Sequence, residues 1–139
     1  MADFQRVIVV AGCVLRQDGK YLLLQEKKPS AYGLWNLPAG RVDEGETLEA
    51  AAARETLEES GFAVKVGKRV CLHHEAADEP VKHAYDAAIV GGELHIPEDE
   101  ILAAKWLSYV EVQELAAQGK LRSPWVMESI TAVEATSTE

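Results

Sequence analysis

Residues Gly40 to Phe62 read GRVDEGETLEAAAARETLEESGF, and the spacing inside this stretch decides the fold. Thr47 is placed to cap a helix, and Leu48 to Glu59 are mostly strong helix formers. Gly61 supplies a left-handed stop, with Phe62 as the apolar residue that follows it. In such a helix Glu55, Glu58 and Glu59 stand at i, i+3 and i+4 and share one face. Leu48, Ala51 and Ala52 lie on that side, while Ala50, Ala53 and Leu57 form an opposite apolar side expected to pack on a sheet. Arg54 sits beside Glu58 on the helical wheel, where it can orient a carboxylate and offset part of the repulsion. Gathered glutamates have two readings: a solvated helix face, or a group of ligands for something positive.

The second reading has a definite chemistry. Clustered carboxylate oxygens suit hard divalent cations such as Mg²⁺ or Mn²⁺. Those ions hold phosphate oxygens and activate water for displacement at phosphorus. The preceding loop, Asn36-Leu37-Pro38-Ala39-Gly40-Arg41, enters the helix tightly, and its carbonyls near Ala39 and Gly40 are candidate further ligands. The chain has 139 residues and a formal charge of −9. An anionic substrate is therefore repelled unless bound cations or a local basic patch reverse the sign. No basic stripe is present, which argues against a nucleic-acid partner.

Hydrophobic content of 47% and charged content of 27% are those of a soluble globular chain, and the length suits one domain over 1–139. Cys13 and Cys71 show no zinc-ligand spacing and make no disulfide framework, which fits a reduced, cytoplasmic setting. Val7 to Cys13 superficially resembles a lipoprotein signal, but its charged start is weak and its apolar run short, so it reads as a first strand. No stretch is long enough to span a membrane.

Outward from the central stretch, residues 6–16 and 20–27 are β-rich runs joined by Gln17-Asp18-Gly19-Lys20, a hairpin signal. A loop, KKPSAYGLWNLPAG, follows. Val64 to Glu75 and Val81 to Val90 alternate as strands, with Gly91 and Gly92 breaking the second, and Lys105-Trp106-Leu107 is a short strand. Tyr109 to Ala117 and Pro124 to Ala135 read as helices, the latter with proline in its first turn, and residues 135–139 as a fraying tail. Strands interleaved with helices give an α/β class with a mixed sheet between helices.

The central stretch resembles the Nudix box: Gly40, Glu46, Arg54-Glu55, Glu58-Glu59, Gly61 and Phe62 stand at the motif's spacing, with Thr56 where the family prefers a bulky aliphatic residue. The resemblance, to MutT-like Nudix hydrolases, implies an α/β/α sandwich with a loop-helix-loop catalytic motif at 40–62. It also implies metal-dependent hydrolysis of a nucleoside diphosphate linked to another group. Carried over residue by residue, it implies that Glu55, Glu58 and Glu59 hold the metals. Gly40 allows the turn and offers its carbonyl, Arg54 orients the glutamates, and Glu46 and Gly61 are structural. The general base is either a box glutamate or an acid on a distant loop, and Glu98-Asp99-Glu100 lies where such a residue often falls, with Glu100 the candidate. The alternative is a Nudix-like nucleotide-binding or regulatory module that does not turn over.

WNLPAG, Glu49 to Glu55 and Leu121 to Ile130 carry a finer resemblance, to bacterial Nudix phosphatases acting on thiamine-pathway pyrophosphates and on nucleoside di- and triphosphates. Substrate contacts are expected from Lys27, Lys28, Arg41 and Tyr85, the last on a strand expected to line the cleft. Tyr32 and Trp35 can stack on a base or pack under their own loop. His73, His74 and His83 form no evident metal triplet. A small-molecule nucleotide or pyrophosphate is the expected partner, with the protein a monomer or a homodimer.

Overall fold

The fold, a computed structural model, is described over residues 6–137. In chain order the elements are β1 (Val9–Gln17), β2 (Lys20–Glu26), a 3₁₀ turn (Pro29–Ala31), β3 (Trp35–Asn36), β4 (Ala39–Arg41), α1 (Leu48–Ser60), β5 (Phe62–His73), β6 (Val81–Gly92), β7 (Ile101–Ser108), α2 (Tyr109–Ala117) and α3 (Pro124–Ser137). The Asp18-Gly19 signal makes the β1–β2 hairpin: both residues have positive φ, 53° and 75°, as a two-residue turn matched to strand twist requires.

The sheet is mixed. β1 pairs in parallel with β6, Val9 to Leu15 against Val81 to Ala87, and antiparallel with β4 and with the start of β2. β5 lies antiparallel outside β6, and β2 carries β3 and β7. Period-two alternation sends Ala11, Cys13, Leu15, Leu22 and Leu24 to the face covered by α1. Val14, Tyr21 and Leu23 go to the other face, beneath Val112 of α2 and Trp125, Val126 and Ile130 of α3. Both faces are covered, which makes the α/β/α sandwich. Fully burying a Leu such as Leu22 or Leu23 contributes about 1.5–3 kcal/mol, so the two cores hold the layers independently.

The structure corrects several boundaries. The β6 ladder runs through Gly91 and Gly92, which pair with Ala63 and Phe62; Gly92 takes φ +80° there and marks an irregular end rather than a break. The region after β2 is not one loop: it contains β3 and β4. Residues 135–137 continue α3, and the remainder of the expected tail lies outside the described residues.

The packing face of α1 is also different. Ala51, Ala52, Thr56 and Ser60 are buried, whereas Ala50 and Leu57 are exposed. The backbones approach too closely for a leucine: the Cys13 thiol reaches the Ala52 carbonyl at 3.6 Å. Only short side chains fit that seam. Thr47 caps the helix by accepting from the Ala50 N–H at 3.1 Å, and Gly61 closes it at φ +83°.

Candidate active site

The loop before α1 and the helix are clamped by one guanidinium. Arg54 meets Glu46 through Nε and Nη2 at 2.7 and 2.9 Å, and Glu55 through Nη1 at 2.9 Å. Nη2 also donates to the Arg41 carbonyl at 3.1 Å, and Glu58 and Asp43 lie at 3.3 and 3.4 Å. Glu46 in turn accepts from the Asp43 N–H at 3.0 Å. Its carboxyl is held down to about 2, first by the Arg54 hydrogen bonds and then by that backbone donor.

Two glutamates of α1 reach back over the incoming strand. Glu59 accepts from the Ala39 N–H at 2.8 Å. Glu55 lies over Gly40 so closely that any β-carbon on Gly40 would overlap its carboxylate. Glycine is therefore required at position 40 by close approach, not by backbone angle. Burial pushes the pKa of Glu55 up against the pull of Arg54. Glu59 is pushed up to about 9, chiefly by burial, with the Ala39 hydrogen bond opposing and Glu55, Glu26 and Glu100 adding repulsion.

These groups open onto a cleft of about 720 Å³ whose lining includes Glu26, Lys27, Lys28, Asn36, Ala39, Gly40, Arg41, Glu55, Glu59 and Glu100. Lys27 is fixed by donating through Nζ to the Glu98 carbonyl at 3.0 Å, and its N–H donates to the Glu100 carbonyl at 3.1 Å. Of the expected residues, Lys27, Lys28, Gly40, Arg41, Glu55, Glu59 and Glu100 share the cleft. Glu58 is more than half exposed against Arg54, Arg54 and Glu46 clamp the loop to α1, and Gly61 caps the far end of that helix.

Tyr85 is not brought to the cleft. It is buried under α1, where its hydroxyl donates to Glu49 Oε1 at 3.4 Å, because odd positions of β6 face α1 and even ones face α3. Trp35 packs into the core with Lys105 over its ring at 5.5 Å, and Tyr32 is exposed away from the glutamates. His73 contacts Glu128 at 2.8 Å, and His83 is buried beside Arg69; neither lines the cleft. Sequence reasoning missed Glu26, Asn36, Lys82, Arg122 and Trp125 as cleft residues. The signal for Lys82 was the same alternation that removes Tyr85.

The donor set suits a hard cation. Glu59 forms no ion pair among the described residues and is faced by Glu55, Glu26 and Glu100. A divalent ion in that space would offset both the burial and the repulsion, and every donor there is oxygen. Among the described residues no three acidic, histidine or cysteine side chains are already drawn together as a ready cage: Glu59 is turned onto Ala39, Glu55 onto Arg54, and Glu58 outward.

A family model, the NUDIX domain, matches residues 5–127. This chain belongs to the Nudix family. It is 32% identical over 126 residues to the Escherichia coli (strain K12) phosphatase NudJ, covering 88% of this chain and 80% of that one. It is 38% identical over 109 residues to a Caenorhabditis elegans protein named as a proposed nudix hydrolase 1, covering 76% of this chain but only 30% of the relative's length. A solved NUDIX hydrolase from Nitrosomonas europaea superposes with a TM-score of 0.80 at 27% identity, over 94% of this chain and 90% of that one. The mixed sheet between helices is thus the Nudix fold, and Gly40 to Phe62 is its Nudix box.

Proposed function

We propose that this Nudix chain hydrolyses a pyrophosphate bond in a nucleoside diphosphate-linked compound or a related small-molecule diphosphate, with Mg²⁺ or Mn²⁺, in the cytoplasm, and as one unit over 1–139. One observation carries the reading. The half-buried Glu59 and the Arg54-bound Glu55 face a cleft that also presents Lys27, Lys28 and Arg41, so anionic ligands for a cation and cationic ligands for a phosphate meet in one space. Among the described residues, no helix is long and apolar enough to cross a membrane.

In this reading Glu55, Glu58, Glu59 and the Gly40 carbonyl hold the metal. A bound divalent ion neutralises phosphate oxygens and lowers the pKa of a water. Arg54 keeps Glu55 and Glu58 aligned, and Glu46 keeps Arg54 in place. Lys27 and Arg41 orient the diphosphate, and Lys28 contacts the same substrate from the cleft wall. Glu100, which lines the cleft at the end of a loop pinned by Lys27, takes the proton from the attacking water. The substrate class follows the resemblance to bacterial Nudix phosphatases, with thiamine-pathway pyrophosphates and nucleoside di- and triphosphates foremost.

The test is ³¹P NMR of a panel incubated with protein and Mg²⁺: nucleoside di- and triphosphates, oxidised guanine nucleotides, ADP-ribose, dinucleoside polyphosphates and thiamine-pathway pyrophosphates. Loss of anhydride resonances for one class names the substrate. Saturable binding with no cleavage anywhere on the panel would instead mark a nucleotide-binding module.

A further inference from the structure

The same cleft also holds a cluster of cations. There Lys82, Arg122 and Lys28 converge with Trp125. Lys82 comes from an even position of β6, and Arg122 from the segment leading into α3. The ammonium of Lys82 donates to Ser123 Oγ at 3.2 Å and lies over the Trp125 ring at 5.8 Å. In a chain of net charge −9, with 23 acids, none of these three cations forms an ion pair among the described residues. Half-burial lowers the pKa of Lys82, with the charge of Arg122 next; Glu79 and Glu75 oppose the shift, and Lys28 adds a smaller push in the same direction as Arg122.

Half-burying the Lys82 ammonium beside Arg122 costs free energy that a bound anion would offset. Trp125 is 1% exposed and its indole N–H is buried without a hydrogen-bond partner, although tryptophan N–H groups in cores usually find one. Three cations without an ion pair among the described residues thus line the same cleft.

We propose that Lys82, Arg122 and Lys28 form an anion subsite that holds a phosphoryl group of the substrate other than the two joined by the scissile bond. The inference rests on the proposed hydrolysis for its meaning in turnover, but binding alone tests it. A substrate that fills the subsite carries at least three phosphoryl groups, which narrows the proposed classes away from thiamine-pathway pyrophosphates and nucleoside diphosphates. The third is either the terminal phosphate of a triphosphate or a phosphomonoester on the group opposite the nucleoside.

The first measurement is calorimetric titration of inorganic tripolyphosphate into protein in EDTA, so that the glutamates contribute only repulsion. Arg122→Gln and Lys82→Gln each weaken binding about 10-fold or more. Lys82→Arg retains it, and Lys68→Gln, an equal charge change on an exposed strand position, leaves it within 2-fold of wild type. Equal binding by wild type and Arg122→Gln, or equal loss in Lys68→Gln, overturns the subsite.

The second measurement compares kcat/KM of wild type and Arg122→Gln on three substrates: a nucleoside triphosphate, a nucleoside diphosphate linked to a neutral sugar, and that compound bearing a phosphomonoester on the sugar. A KM rise confined to the triphosphate, or to the phosphomonoester compound, supports the subsite and names the source. An equal rise on all three overturns it. If no substrate is cleaved while tripolyphosphate still distinguishes the variants, the hydrolase reading falls and the subsite stands.

Discussion

Arg54 and Glu46 form a bidentate pair, Nε to Oε2 at 2.7 Å and Nη2 to Oε1 at 2.9 Å. The pair joins the helix that carries the glutamates to the loop that follows the Gly40 strand. Two parallel charge-assisted bonds fix direction as well as distance, so Glu55 and Glu58 inherit their positions from a residue outside the cleft.

That pair makes stability depend on acid. Glu46 is held down to about 2, chiefly by Arg54, below the usual carboxylate value of about 4.3. A depressed carboxylate stabilises while ionised. Its contribution is full above about pH 5 and is lost as pH falls toward 2. Urea unfolding of wild type and Glu46→Gln at pH 7, 5, 3.5 and 2.5 therefore shows a stability gap that closes as pH falls. A gap constant with pH contradicts the assignment.

Gly40→Ala places a methyl group where the Glu55 carboxylate lies. Displacing a positioned group by about 1 Å costs on the order of 10²-fold in rate. The expected result is a kcat reduced by about that factor, with far-UV circular dichroism unchanged. Wild-type kcat in Gly40→Ala would show that the Glu55 position does not matter.

Glu100 lines the cleft and adds to the repulsion on Glu59. If it is the base, Glu100→Gln lowers kcat about 10²-fold or more, leaves KM near wild type, and removes the acid limb of the pH–rate profile. An unchanged acid limb moves the role to a box glutamate.

The hydroxyl of Thr56 is fully buried without a hydrogen-bond partner in good geometry; the thiol of Cys13 beside it is a weak one. Thr56→Val keeps the shape and removes the stranded oxygen, and raises unfolding free energy by about 1 kcal/mol. A loss of stability in chemical denaturation would mean that the Cys13 contact is worth more than its geometry indicates.

Much of the site was readable along the chain because its signals are local. Thr47 and Gly61 bound α1 to within a residue, Asp18-Gly19 made the hairpin, and the i, i+3, i+4 glutamates needed only helical period to be placed together. What could not be read depended on contacts distant in sequence. The buried stripe of α1 is Ala51, Ala52, Thr56 and Ser60, since the approach of β1 selects small residues over Leu57. On β6, alternation separates Tyr85 from Lys82, but which one faces the cleft depends on which side α1 takes. Arg122 and Trp125 arrive through the α2–α3 connection, far along the chain from the box.

The proposed metal-dependent cleavage of a diphosphate rests on the box glutamates. The most direct measurement is turnover of the best panel substrate by wild type and Glu58→Gln, each with Mg²⁺ and with EDTA. Wild type is expected to cleave with Mg²⁺ and not in EDTA, and Glu58→Gln to be slower by about 10²-fold or more. Equal rates in EDTA, or a Glu58→Gln variant as fast as wild type, would contradict the proposal.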